Sequence, residues 1–196
     1  MTSAARMGTA LGLGLDAVPS GGVVFLVGFM GCGKTTVGRR LATLLQGSFV
    51  DLDEYIERAA GRTIPDLFRL EGEAGFRRRE QAALVQLCAA LANDPTPWKV
   101  VALGGGTFTV EANRDCVRRN GCSVWLDVPF EVLAARIMRD GGRPLWTSQA
   151  DAEWRYWRRR ADYAHADIHL PVGDRTPDQA AAAIAQALAA WQNLRP

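Results

Sequence analysis

Val23-Val24-Phe25-Leu26-Val27, followed at once by Gly28-Phe29-Met30-Gly31-Cys32-Gly33-Lys34-Thr35-Thr36, is the stretch on which the fold turns. Five consecutive apolar residues suit a strand covered on both faces. The eight residues from Gly28 to Thr35 satisfy G-x-x-x-x-G-K-[ST] at every fixed position, and a helical pattern from Thr35 to Leu45 follows. Glycines let backbone N–H groups converge on phosphate oxygens, the helix turns its positive end toward them, and the Lys34 ammonium reaches the β and γ phosphates. Thr35 then offers a hydroxyl to Mg²⁺. Of the 23 basic residues only Lys34 and Lys99 are lysines, so the chain keeps a compact ammonium where a phosphate loop needs one and uses arginine elsewhere. The alternative is a glycine-rich turn with an incidental lysine, in which Cys32 is simply a small residue.

Outward from this loop, short apolar runs alternate with helix-length segments. Val23–Val27, Ser48–Asp51, Lys99–Leu103, Ser123–Asp127 and Ile168–Val172 read as strands. Thr35–Leu45, Glu54–Ala60, Ile64–Leu70, Phe76–Leu91, Glu111–Asn120, Phe130–Arg139, Ala152–Tyr163 and Pro177–Trp191 read as helices. Right-handed crossovers then give an α/β fold in three layers, a five-stranded parallel sheet flanked by helices, with ligands at the carboxyl ends of the strands. Asp94-Pro95-Thr96-Pro97 is a turn, and Asp140-Gly141-Gly142-Arg143-Pro144 breaks the chain as a short lid. Met1 to Gly22, rich in Gly, Ala and Ser, reads as a mobile extension, with a transit peptide as the alternative, and residues 23–196 as one domain.

Composition limits the function classes. The 196 residues are 48% hydrophobic and 22% charged with a formal net charge of +2, too little to draw the molecule onto nucleic acid or an anionic membrane. No apolar run approaches the roughly 18 residues of a membrane span. Four cysteines form no C-x-x-C pair, and Cys116 and Cys122 make a poor zinc pattern, so a reducing cytoplasm is expected, and with no obvious sticky surface in the sequence a monomer. His165 and His169 read as surface or strand-edge residues, and Trp154 and Trp157 as packing residues; Trp146 falls in the lid.

Three further features point to one sheet edge. In extended backbone Asp51 and Asp53 face the same side, one for the water shell of Mg²⁺ and one for an acceptor hydroxyl; the alternative is a helix N-cap at Asp53. Arg77 and Glu80, at i and i+3, can pair and fix a guanidinium for bidentate binding of a carboxylate, while Arg78 and Arg79 read as a solvated face. Gly104-Gly105-Gly106, after a strand, lets bare backbone approach a ligand or makes a simple turn.

Taken together, GFMGCGKTTVGRRLA, DLDEYIERAAGRTIPDLF, GEAGFRRRE, LGGGT and GGRPLW, in this order, resemble the shikimate kinase family over roughly residues 23 to 180. The resemblance implies a P-loop NTPase-type fold of the nucleoside monophosphate kinase kind, and transfer of the γ-phosphoryl of ATP to the 3-hydroxyl of shikimate in chorismate and aromatic amino-acid synthesis. It gives ATP to Gly31, Cys32, Gly33, Lys34, Thr35 and Thr36, with Arg139, Arg143 and Arg175. Mg²⁺ falls to Thr35 and, through water, Asp51. Asp53 takes the acceptor hydroxyls and the base role. Arg77 takes the acceptor carboxylate with Glu80 orienting it, Gly105 and Gly106 line the pocket, and Arg143 closes over the transferring phosphate beside Lys34. Arg159…Tyr163 fits the family's R-x-x-x-Y and makes Arg159 the second carboxylate contact, with Arg158 and Arg160 as rivals. A gluconate kinase sharing the phosphate loop, or a nucleotide-binding regulatory module, are the competing readings.

Overall fold

The computed structural model describes residues 21–139 and 148–193. Its elements, in order, are β1 (Gly22–Val27), α1 (Lys34–Leu44), β2 (Ser48–Asp51), α2 (Leu52–Ala60), α3 (Ile64–Ala92), β3 (Trp98–Ala102), a 3-10 turn (Thr107–Thr109), α4 (Glu111–Asn120), β4 (Cys122–Asp127), α5 (Phe130–Arg139), α6 (Gln149–Tyr163), β5 (Ile168–Pro171) and α7 (Pro177–Asn193). The strands form one parallel sheet in the order β2-β3-β1-β4-β5. β1 is central, pairing with β3 from Gly22 opposite Trp98 and with β4 from Val24 opposite Cys122, and Val24, Phe25 and Leu26 are fully buried. That is why its sequence is uninterrupted apolar rather than alternating.

The chain leaves β1 toward β2 on one side and later crosses from β3 to β4 on the other. The direction of connection therefore reverses at β1, which opens a crevice beyond the carboxyl ends of β1 and β3. α1 and α7 pack together on one face. α1 contributes the buried Val37, Leu41 and Ala42, and α7 contributes Ala180, Ile184 and Leu188 at helical spacing. Each such fully buried Leu or Ile is worth about 1.5–3 kcal/mol of transfer free energy.

The elements follow their expected residues with informative differences. β1 starts at Gly22, whose N–H donates to Pro97 O at 2.8 Å, so Gly22 belongs to the sheet and not to the extension; Met1 to Ser20 lie outside the described residues. The two helices expected between Ile64 and Leu91 run together as α3, interrupted at Gly72 by a non-helical φ of 67° and ψ of 177° that glycine adopts without the penalty of a Cβ. α3 begins with Thr63 as N-cap to Asp66 N–H, and α6 begins three residues early because Ser148 caps Asp151 N–H in the same way. The lid residues Asp140 to Thr147, with Arg143 and Trp146, lie outside the described residues. Trp154 and Trp157 are 60% and 58% exposed, against the expectation that they pack inside.

Candidate active site

A cleft of about 730 Å³ opens where the sheet topology predicts it, walled by the loop after β1, the β2–α2 junction, the first half of α3, the glycines after β3, and residues of α5, α6 and α7. Its phosphate end is built by α1. Gly33 precedes the helix at φ 94°, no side chain caps it, and no acidic residue stands in its first turn, which leaves the positive end of the helix available to an anion. Lys34 Nζ donates to the carbonyls of Gly28 at 2.8 Å and Phe29 at 3.0 Å and lies 3.7 Å from the buried Cys32 Sγ. The ammonium is thus held across the mouth of the loop. Gly31, Cys32, Gly33, Thr35 and Thr36 all line the same end of the cleft.

Asp51 and Asp53 reach this cleft by a different route from the expected one. β2 ends at Asp51 and Asp53 already lies in the first turn of α2, so strand alternation does not align them. Asp51 is the N-cap, with Oδ1 accepting from Asp53 N–H at 3.0 Å, which corrects the placing of the cap at Asp53. Its other oxygen, Oδ2, accepts from Thr35 Oγ1 at 2.8 Å. Thr35 and Asp51 therefore offer adjoining hard oxygen donors, a set that suits Mg²⁺, which keeps most of its waters and takes few protein ligands. Among the described residues no three His, Cys, Asp or Glu converge on one metal position, so such a cation would lean on phosphate oxygens for the rest of its shell.

Asp53 is the most perturbed carboxyl of the cleft. Burial first, then the neighbouring negative charges of Asp51 and Glu80, push its pKa up to about 6, while Lys34 pulls the other way. A carboxyl that titrates there is ionised at neutral pH yet basic enough to accept a proton.

The opposite wall is arginine held by carboxylate. Arg77 Nη1 donates to Glu80 Oε2 at 2.7 Å, and Glu80 is only 1% exposed. Arg78 is exposed, and Arg79, also exposed, pairs with Glu71 away from the cleft. The glycines after β3 are required by close approach. A Cβ on Gly104 would stand 2.9 Å from Asp53 Oδ1, Glu80 Oε1 and Thr107 Oγ1, and one on Gly106 would stand 2.5 Å from Arg77 Nη2. Side chains there would displace Asp53, Glu80, Thr107 and Arg77 from their places in the cleft wall.

The three consecutive arginines of α6 separate cleanly. Arg159 lines the cleft, with Nη1 donating to Gly105 O at 3.2 Å and its guanidinium over the Phe29 ring at 5.7 Å. Tyr163, one turn later, is buried and donates to the same Gly105 O at 2.5 Å. Arg160 turns the other way and forks onto Asp127, with Nη2 to Oδ2 at 2.8 Å, while stacking on Trp125. Arg158 lies over the exposed Trp154. His169, on the edge strand β5 as expected, stacks on Trp125 at 4.3 Å and meets Asp127 at 2.9 Å; His165 is exposed.

At the far end Arg175 lines the cleft and donates to Pro171 O, with Val172, Pro177 and Ala180 beside it. Arg136 also lines the cleft and was not singled out from sequence, although it lies three residues before Arg139 on α5. Arg143 lies outside the described residues, as does the side chain of Arg139. Phe68 and Phe76, stacked at 4.3 Å on either side of the Gly72 break, form an apolar wall that the sequence did not announce.

With this geometry in hand, the comparisons are specific. The family model for shikimate kinase matches residues 30–189. The chain is 40% identical over 169 residues to the shikimate kinase of Novosphingobium aromaticivorans, covering 85% of this chain and 86% of that one. Its identity to the shikimate kinase of Cereibacter sphaeroides is 41% over 169 residues, 85% of this chain and 82% of the relative. Among solved structures it is similar to the shikimate kinase of Acinetobacter baumannii in complex with shikimate, with a TM-score of 0.78, 35% identity, and 90% of this chain and 97% of that one covered.

Proposed function

The chain belongs to the shikimate kinase family, and we propose that its cleft carries out the family's reaction with Asp53 as base and Arg77 and Arg159 as the paired holders of the acceptor's carboxylate. The protein is an ATP-dependent kinase whose acceptor is shikimate, the γ-phosphoryl passing to the 3-hydroxyl. The observation that carries the site assignment is the convergence, around Gly104 to Gly106, of one carboxyl with raised proton affinity and two guanidiniums held in place, facing the phosphate loop across a single cleft.

The chain's own groups divide the work. ATP's phosphates lie along Gly31 to Thr36, and Lys34 exchanges its loop carbonyls for β and γ oxygens. Arg175 borders the nucleoside, while the roles given above to Arg139 and Arg143 fall on side chains outside the described residues. Thr35, and Asp51 through water, would hold Mg²⁺, which when bound would neutralise part of the phosphates' negative charge. Arg77, kept rigid by Glu80, and Arg159, kept by Gly105 O, fork onto the carboxylate and thereby aim the 3-hydroxyl at Asp53, which takes its proton. Phosphoryl transfer gains most from such positioning and charge neutralisation, since little covalent chemistry is asked of the protein. The same reading makes the chain from Gly22 onward the kinase domain, with the preceding residues an extension outside its chemistry, and the enzyme a cytoplasmic monomer with no nucleic-acid or membrane partner. Among the described residues no helix is long and apolar enough to cross a membrane.

The direct test supplies MgATP with a panel of hydroxy acids, shikimate, gluconate and quinate among them, and measures ADP release. Shikimate-dependent release well above the others is expected, and preferred turnover of another acid would overturn the assignment. Two more results follow from the geometry. Arg159→Lys raises the KM for shikimate about tenfold with KM for ATP unchanged, because an ammonium cannot reproduce the fork. If Arg158→Lys or Arg160→Lys has that effect instead, the carboxylate lies elsewhere. Because Asp53 must be ionised to act, log kcat/KM for shikimate falls with unit slope as pH drops below about 6. A profile flat down to pH 4.5 would remove Asp53 from the base role.

A further inference from the structure

We propose that Thr107 is a positioning residue for acid recognition, its buried hydroxyl setting Glu80 so that Glu80 can set Arg77. This rests on the reading that Arg77 receives the acceptor's carboxylate. Thr107 is fully buried, one of four polar or charged residues so buried among those described, and Glu80 and Asn113 are two of the others. Thr107 Oγ1 donates to Glu80 Oε1 at 2.7 Å while Arg77 Nη1 donates to Oε2 at 2.7 Å, so each oxygen of this buried carboxylate has its own donor.

Thr107 is itself clamped from three sides. Its N–H donates to Gly104 O at 3.1 Å, its carbonyl accepts from Asn113 Nδ2 at 2.9 Å, and its own 3-10 turn packs against α4 and α6. The threonine that ends the glycine segment thus reaches back to the helix bearing Arg77 and ties two walls of the cleft together.

Without the hydroxyl, Glu80 Oε1 loses the one side-chain donor it has among the described residues, at a carboxylate only 1% exposed, and leaving that oxygen unsatisfied is costly. The carboxylate then rotates toward another donor and releases Arg77 from its bond to Oε2. The defect should be confined to acceptors that carry a carboxylate, since an ester offers Arg77 neither a negative charge nor a bidentate pair of oxygens. A merely structural Thr107 would instead weaken every substrate together.

The test compares wild type with Thr107→Val, Thr107→Ala and Thr107→Ser, using shikimate and its methyl ester as acceptors at saturating MgATP, with ATP titrated separately. The wild type should prefer the acid by kcat/KM. Thr107→Val should raise the KM for shikimate about tenfold, the scale of one hydrogen bond to a charged group, and leave the ester and the KM for ATP about unchanged. Thr107→Ser, which keeps the hydroxyl, restores the acid preference. Thr107→Ala reads the same loss should the valine variant fail to fold. If the wild type shows no preference for acid over ester, the carboxylate reading of Arg77 fails. If that preference is present but survives in both Thr107→Val and Thr107→Ala, or Thr107→Ser is as impaired as they are, the role of Thr107 is overturned.

Discussion

Asp53→Asn lowers kcat by ~10²–10⁴-fold, the range for loss of a positioned general base, while ADP binds as it does to the wild type. The substitution is nearly isosteric and leaves Asp51, which caps α2 through the Asp53 backbone N–H, with its bond intact. Only the acceptance of the proton is lost. Stability should move in the opposite direction. The folded value of about 6 lies above the ordinary carboxyl value of 3.8, so the fold holds this proton more tightly than the unfolded chain does. Ionised Asp53 therefore costs stability above that pH, and stability is regained as pH falls through about 6. At pH 8 the neutral amide escapes the cost, so Asp53→Asn should melt higher than wild type. Lower activity with a higher Tm separates this account from simple damage, in which both fall. Near-normal turnover by the variant would take Asp53 out of the mechanism.

Lys34→Met is the second large effect, with kcat reduced by ~10²–10³-fold, as when one preorganised charge at a reacting oxygen is removed. Methionine preserves the length and apolar stem but offers neither the ammonium for γ-phosphate nor the donors that now satisfy Gly28 O and Phe29 O. Lys34→Arg should not restore the rate, because a planar fork cannot occupy the place of a compact charge between two carbonyls. A coupled result separates this role from a loop collapse. Lys34 is the positive charge that holds Asp53's proton affinity down, so its removal moves the acid limb of kcat/KM to higher pH. An unmoved limb would mean that Lys34 and Asp53 do not share one electrostatic site.

The fold was legible where local pattern and burial agree. A central strand covered on both faces reads as unbroken Val-Val-Phe-Leu-Val, and α7 shows its apolar stripe at Ile184 and Leu188 because only that stripe meets the core. Legibility failed at junctions and across distance. Asp51 and Asp53 looked like strand residues on one side, but the cap formed by Asp51 starts the helix two residues earlier than the charge pattern suggests. Gly72 separates two helical phases with a single residue, too short a break to appear as a loop.

The site was visible to the extent that its chemistry is written in short motifs. Lys34, Thr35, Asp53, Arg77, the glycines and Arg159 all line one cleft. What decides among Arg158, Arg159 and Arg160 was not local. Arg160 is claimed by Asp127, 33 residues earlier in the chain, and that fork fixes the rotation of α6 that turns Arg159 inward. Thr107 was likewise silent in sequence, since a threonine after three glycines carries no sign that Glu80, 27 residues before it, needs a donor.

A crystal structure of the enzyme with ADP and shikimate shows which residues meet the acceptor. The account predicts the Asp53 carboxyl within hydrogen-bonding distance of the 3-hydroxyl, Arg77 and Arg159 both on the carboxylate, and the nucleotide's phosphates on the glycine loop opposite. An acceptor bound with its carboxylate on other residues, and Asp53 turned away from its hydroxyls, would contradict it.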